Sequence, residues 1–313
     1  EGIRRYAGDE VRILYSEGCD LFRDKTEPLA QDLDRLSEAV TVAENSDIVI
    51  LCLGLDETLE GEEGDTGNSY APGDKETLGL PQVQQELMKA MKESGKPVIL
   101  LLMAGSDIDM SYAAENFDAV MVLWYPGGQG GKAAAKVLFG DVSPSGKLPV
   151  TFYESLEELP EFTDYTMKGR TYRYLEGQAQ FPFGYGLNYG RVQVKEACIR
   201  EKDGKILVEA QVENQGTMEV RDVVQVYMKN EDSPLAVRNP ELAAFSSVFL
   251  QAGEKKIISL PVEERAFTVV DEAGGRREDG EQFTLYVGCS QPDEKSVELT
   301  GVRPVKLAYC RTK

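Results

Sequence analysis

Apolar residues follow two different rhythms along the chain. In the first half, short apolar runs alternate with amphipathic stretches. Val11–Tyr15 reads as a strand, and Leu33–Ala43 as a helix that turns Leu33, Leu36, Val40 and Ala43 to one side. Asp47–Gly54 (DIVILCLG) is a continuous apolar run, the composition of a strand covered on both faces. Pro81 suits the first turn of a helix that runs to about Glu93, with Val83, Leu87, Ala90 and Met91 inward and Gly95 just past its end. Pro97–Ala104 is another buried strand. A short helix near Ser111–Glu115, a strand over Ala119–Tyr125 and a helix over Gly131–Phe139 follow. Strands and helices in this alternation predict an α/β domain built on a mainly parallel, doubly wound sheet.

Between Gly140 and about Gly190 the periodicity lapses into Gly, Pro and aromatic residues, which predicts an ordered but irregular connection. The rhythm then becomes that of strands: Val192–Arg200, Ile206–Val212, Val223–Lys229, Ala244–Leu250, Lys256–Val262 and Gln282–Cys289. Asp203-Gly204, Asn214–Gly216 and Ala252-Gly253 read as the turns between them. Short strands at this spacing predict an all-β sandwich of fibronectin or immunoglobulin type. The expected division is an α/β domain over 1–150, a connection over 151–190 and a β-sandwich over 191–313.

Composition narrows the chemistry. The chain has 313 residues and a net charge of −20, from 54 acidic and 34 basic side chains, with no basic cluster to release counterions from a nucleic acid. No run approaches the roughly 20 apolar residues of a membrane span. The first residue is Glu, and no basic-then-apolar leader follows it, so a trimmed or processed piece of a longer chain is expected. The five cysteines are scattered without a CxxC pair, and the apolar neighbours of Cys52 predict buried free thiols and a reducing, cytoplasmic setting; a disulfide and secretion stay open. Histidine is absent, which removes His triads, His ligands and His proton shuttles and leaves carboxylates, Lys, Tyr or Cys for acid–base work.

Functional loops of such sheets leave the carboxyl ends of the strands. The longest, Leu55–Leu80, is about 26 residues, far beyond the usual connection of about 2–6. Within it LEGEEGD places Glu60, Glu62, Glu63 and Asp65 together, broken by glycines that permit a tight turn. Crowded carboxylates raise the pKa of at least one, which suits a proton donor; a solvated acidic loop is the competing reading. The DxDxDG…E calcium pattern is absent, and no metal or cofactor is expected. PGGQGGK (126–132) fails the phosphate-loop pattern at both ends, with Pro126 at the first Gly position and Ala133 after the Lys, and reads as a turn. Asp74 and Lys75 precede the helix start and can bond sugar hydroxyls or simply pair in solvent. Tyr172–Tyr174 and Phe181–Tyr185 read first as packing aromatics and second as a sugar platform.

Taken together, these segments resemble glycoside hydrolase family 3. DIVILCLGLDETLEGEEGD followed by GDKETLGLP is similar to the acidic loop and helix start of that family. YPGGQGGKAAAKVLFGDVSPSGKLPVTF, TYRYLEGQAQFPFGYGLNYG, VENQGTMEVRDVVQVYM and FSSVFLQAGEKK are similar to its further motifs, in the family's order. The resemblance implies the α/β sandwich and fibronectin type III-like domains of a retaining β-glycosidase. The Ser-Asp-Trp nucleophile motif of the family's barrel has no counterpart, so the nucleophile is expected outside this sequence. Aligning Gly61-Glu62 with the family's G-E or A-E pair makes Glu62 the general acid/base, with Glu60 and Glu63 as near alternatives. Asp65, Asp74 and Lys75 are the expected substrate contacts, although Thr66 and Lys75 stand where many members have Arg.

The resemblance further implies terminal β-linked glucose or xylose as substrate. The Glu60/Glu62 spacing leans toward xylosidase-type and broad-specificity members. A retaining mechanism needs two carboxyls about 5–5.5 Å apart across the scissile bond, so this chain alone is expected to be inactive until the missing barrel docks. The alternative is a non-catalytic carbohydrate-binding or structural module.

Overall fold

In the computed structural model, residues 1–23, 33–62 and 75–311 are described. Two compact units divide at Phe139/Gly140, so the irregular connection packs with the sandwich rather than standing apart.

The first unit opens with α1 (Gly2–Ala7) and α2 (Asp34–Glu44), followed by β1 (Val49–Gly54), α3 (Gln82–Glu93), β2 (Val98–Met103), α4 (Ser111–Asn116), β3 (Ala119–Val122) and α5 (Gly130–Leu138). The three strands form a parallel sheet in the order β1-β2-β3, with Val49 opposite Val98 and Ile99 opposite Ala119. Leu100, Leu101 and Leu102 are consecutive and all buried, so the central strand is covered on both faces. On α3, Val83, Leu87, Met88 and Met91 are buried, and Gly95 follows the helix at φ +70°, a conformation that disfavours any Cβ.

Three expectations are corrected here. Val11–Tyr15 pairs with no strand among the described residues. On α2 it is Ala39 and Ala43 that are buried, while Leu33 lies before the helix, 59% exposed. Cys52 is exposed rather than buried, because among the described residues β1 has no strand on its outer side; Cys198 and Cys310 are exposed as well, and all five thiols are free. Of the glycines of PGGQGG, Gly130 and Gly131 serve close packing, whereas Gly127 takes φ +62° and Gly128 faces open space. A Cβ on Gly130 would meet the Pro126 ring at 2.4 Å, and one on Gly2 of α1 would meet Gly131 of α5 at 2.4 Å.

The second unit begins with a ribbon of β4 (Phe152–Tyr153) and β5 (Ala179–Phe181), which flanks α6 (Thr171–Tyr174). The sandwich comprises β6 (Val192–Lys202), β7 (Lys205–Asn214), β8 (Val220–Asn230), β9 (Glu241–Leu250), β10 (Lys255–Val262), the small hairpin β11 (Thr268–Val270) and β12 (Arg276–Glu278), β13 (Gln282–Gly288), α7 (Glu294–Thr300) and β14 (Val305–Cys310). Its sheets run β10-β7-β6 and β14-β13-β8-β9. Alternate residues of β7 (Ile206, Val208, Ala210, Val212) meet Val224, Val226, Leu250 and Leu285 in one core. Asp203 and Gly204 both take positive φ between β6 and β7, as a tight two-residue hairpin turn demands.

Polar residues of the sequence motifs fasten this unit. Asn214 is fully buried; its oxygen accepts from the Gly216 N–H at 3.0 Å and its amide donates to the carbonyls of Met218 and Gln251. Gln225 donates to the carbonyls of Gly184 and Cys289 and accepts from the Tyr227 hydroxyl at 2.7 Å. Tyr172 stacks on Phe183 with centroids 4.2 Å apart, and both meet Tyr227 edge-on. Tyr172 and Phe183 are therefore packing residues, seated on the sandwich. Among the described residues, no helix is long and apolar enough to cross a membrane.

Candidate functional site

The acidic loop leaves the carboxyl end of β1 under tight control. Gly54, the last residue of that strand, takes φ +155°, and a Cβ there would fall 1.7 Å from the Met103 carbonyl oxygen. The buried side-chain amide of Gln84 grips the same residue from the helix side. It accepts from the Gly54 N–H at 2.9 Å, and donates to the Gly54 carbonyl at 2.7 Å and to that of Leu21 at 2.8 Å. Leu55 and Leu59 are buried, and between them Asp56 closes a turn. Its carboxylate accepts from the Thr58 N–H and hydroxyl, and its carbonyl from the N–H groups of Leu59 and Glu60.

That turn aims Glu60 across the ends of the neighbouring strands. One oxygen of its carboxylate accepts from the Ser106 hydroxyl; the other accepts from the Gly105 N–H at 2.7 Å and from the Tyr125 hydroxyl. Gly105 and Ser106 follow β2, and Tyr125 follows β3, so all three strands contribute to one point. Trp124 turns the chain there with φ +52°, a strained conformation for a bulky residue. The Lys75 ammonium completes the cluster, donating to Ser106 Oγ at 2.8 Å and to the Asp107 carbonyl.

Burial raises the Glu60 carboxyl, but the hydroxyls of Ser106 and Tyr125, the Gly105 N–H and nearby Lys75 outweigh it and hold the group below its usual range. Burial pushes the Tyr125 phenol up, and the Glu60 carboxylate pushes it further. Burial lowers Lys75, against the opposing pull of Glu60 and Asp107. Glu60 is therefore an ionised anchor and not the raised carboxyl that crowding of like charges led one to expect somewhere in this cluster. Glu62, two residues on, is exposed. Of the other expected site residues, Lys75 joins the Glu60 cluster, while Glu63, Asp65 and Asp74 lie outside the described residues. Sequence reasoning did not pick out Ser106, Tyr125 or Gln84. Only the buried position of Gln84, on the otherwise apolar face of α3, carried a signal. Among the described residues, no cluster of acidic and Cys side chains could hold a metal ion.

A parallel α/β layer with Glu60 at its strand ends and, later in the chain, a fibronectin-like sandwich are the two folds that the sequence motifs led one to expect. Residues 1–189 match the glycosyl hydrolase family 3 C-terminal domain, and residues 222–291 the fibronectin type III-like domain. The chain belongs to glycoside hydrolase family 3. It is 39% identical over 259 residues to a xylan 1,4-beta-xylosidase of Xylanibacter ruminicola, covering 80% of this chain and 30% of that relative. It is 31% identical to a beta-xylosidase of Formosa agariphila, covering 96% of this chain and 41% of the relative. The crystal structure of a Bifidobacterium adolescentis GH3 beta-glucosidase superimposes with a TM-score of 0.80 at 29% identity, covering 96% of this chain and 44% of that one. The chain thus spans well under half the length of these relatives.

Proposed function

We propose that this chain supplies the general acid/base to a retaining β-glycosidase acting on terminal β-linked xylose or glucose, with Glu62 as the proton donor. The observation that carries the reading is the division of labour between Glu60 and Glu62. A general acid must be protonated when it meets the leaving oxygen. Glu60 is bound by three donors that protonation would weaken, so it is suited to holding the loop. Glu62 sits next to that anchor, exposed, and in register with the family's acid/base by motif. Lys75 holds Ser106 against Glu60 and so supports the loop, while Asp65 and Asp74 are proposed sugar contacts. The nucleophile belongs to a barrel outside these residues, and the two carboxyls meet only when the domains dock. The names of the two xylosidase relatives, together with the Glu60/Glu62 spacing, favour a xyloside.

The test uses the complete enzyme and an aryl β-xyloside or β-glucoside. Glu62→Ala is expected to lower kcat by at least about 100-fold, with recovery on adding azide or formate. Glu60→Gln is expected to lose activity without anion rescue. Rescue of the Glu60 variant, with Glu62→Ala fully active, would move the role to Glu60. The 313-residue chain alone is expected to show no turnover, and measurable hydrolysis by it would refute the divided site.

A further inference from the structure

Tyr125 is fixed from all three strands of the parallel sheet. It is rooted just past β3, its hydroxyl donates to the Glu60 carboxylate beyond β1, and its ring lies against Gly105 beyond β2. A Cβ on Gly105 would sit 2.8 Å from Cε2 of the ring and 3.4 Å from Cδ2, so a side chain there would push the ring out of place. Trp124, at φ +52°, carries the backbone strain that turns the chain toward that position. The ring is thus held in one orientation across the carboxyl ends of the strands, where ligands of open α/β sheets bind.

Holding Glu60 uses only the hydroxyl, and the Gly105 N–H and the Ser106 hydroxyl already serve the same carboxylate. The ring is left over by that role. Tyr125 remains 53% exposed although it is bound at both ends. A rigid aromatic ring with a free surface is what the apolar side of a pyranose stacks on, while the sugar hydroxyls stay with water or polar neighbours. Its fixed orientation also means that little side-chain entropy is lost when a ligand settles on it.

Building on the reading of Glu62 as proton donor, we infer that the exposed part of the Tyr125 ring is a wall of the leaving-group subsite, on which the sugar departing from the scissile bond stacks. A general acid stands at the glycosidic oxygen, so a surface beside it on the side away from the nucleophile meets the leaving group. Glu62 is two residues beyond Glu60, and two residues span at most about 7 Å. The residue that grips the Tyr125 hydroxyl is therefore a near neighbour of the proton donor. Tyr125 is then a specificity-determining residue with two separable parts: the hydroxyl steadies the acidic loop, and the ring selects what leaves.

Kinetics of the complete enzyme on two substrates that share a glycone test it: xylobiose, whose leaving group is a pyranose, and methyl β-xyloside, whose leaving group has no ring (cellobiose and methyl β-glucoside for a glucose glycone). Both need a proton on the leaving oxygen, so a loosened Glu60 anchor slows both alike and cancels in the ratio of their kcat/KM values. Tyr125→Phe keeps the ring and loses the hydroxyl, and should leave that ratio within about 2-fold of the parent. Tyr125→Leu should lower it by about 5–10-fold, chiefly through the KM for the disaccharide. An unchanged ratio in Tyr125→Leu, or an equal fall in Tyr125→Phe, overturns the inference and leaves the role of Glu62 standing; full activity of Glu62→Ala overturns that role instead. The crystal structure of the complete Glu62→Ala enzyme with the disaccharide reads the same contact without altering Tyr125. The leaving sugar lying on the ring supports the inference, and a leaving sugar seated elsewhere overturns it.

Discussion

The ion pair between Lys147 and Asp222 offers the sharpest energetic test of how the second unit is held. Lys147 comes from the SPSGKLP segment and Asp222 from β8. Their charged atoms lie 2.8 Å apart, with side chains only 12% and 4% exposed. Asp222 also accepts from Asn188 at 2.7 Å and from the Val223 N–H at 2.7 Å, while Lys147 donates to the Gly186 carbonyl at 2.6 Å. Lys147→Met leaves a carboxylate buried without its counter-charge, a loss of about 3–5 kcal/mol. Asp222→Asn leaves the ammonium with one carbonyl, but its long stem can reach water, so about 2–3 kcal/mol is expected. Exchanging both removes the stranded charge, and the double variant should be more stable than the sum of the singles implies by about 2 kcal/mol. The assay is urea unfolding followed by circular dichroism. Trp124, the only tryptophan, belongs to the first unit and is silent about this one. Single losses below about 1 kcal/mol, or additive ones, would refute the view that a desolvated pair pins the connection to the sandwich.

Gly184 takes φ +76°, and a Cβ there would lie 2.4 Å from Gln225 Oε1 and 2.5 Å from the Tyr227 hydroxyl, so Gly184→Ala should cost about 3 kcal/mol and lower the melting temperature of the sandwich by roughly 10 °C. Gln225→Leu deprives the Gly184 and Cys289 carbonyls and the Tyr227 hydroxyl of their partner and should cost about 2–4 kcal/mol in urea unfolding. The Glu60 carboxyl, held low in the folded state, contributes stability that is present above its unfolded pKa of about 4.3 and is lost as pH falls through the lower folded value. Near-ultraviolet absorbance of tyrosine should therefore show a step on the acid side of the usual carboxylate range that Glu60→Gln abolishes; a step unchanged in that variant would place its origin elsewhere.

The amino-acid sequence by itself determined both fold classes, because a continuous apolar run and a period-two alternation each admit few solutions. Thus β1, α3, β2 and α5 fall where the pattern put them, and so do six strands of the sandwich. β14 and α7 escaped, being six or seven residues long with too few apolar positions to stand out. The length and charge of Leu55–Leu80 marked the acidic loop, and the loop does leave β1 at a strand carboxyl end. What the sequence did not carry was which glutamate is the anchor. Neighbours in the chain suggested mutual repulsion, whereas the groups that set the Glu60 charge come from Ser106 and Tyr125, 46 and 65 residues away. Exposure of Cys52 was hidden for the same reason: an apolar run states what a strand prefers to be covered by, and only the assembled sheet decides whether anything lies beside it. Local pattern fixes the elements; the field at a carboxylate and the neighbour of a strand are long-range facts, created when distant segments converge.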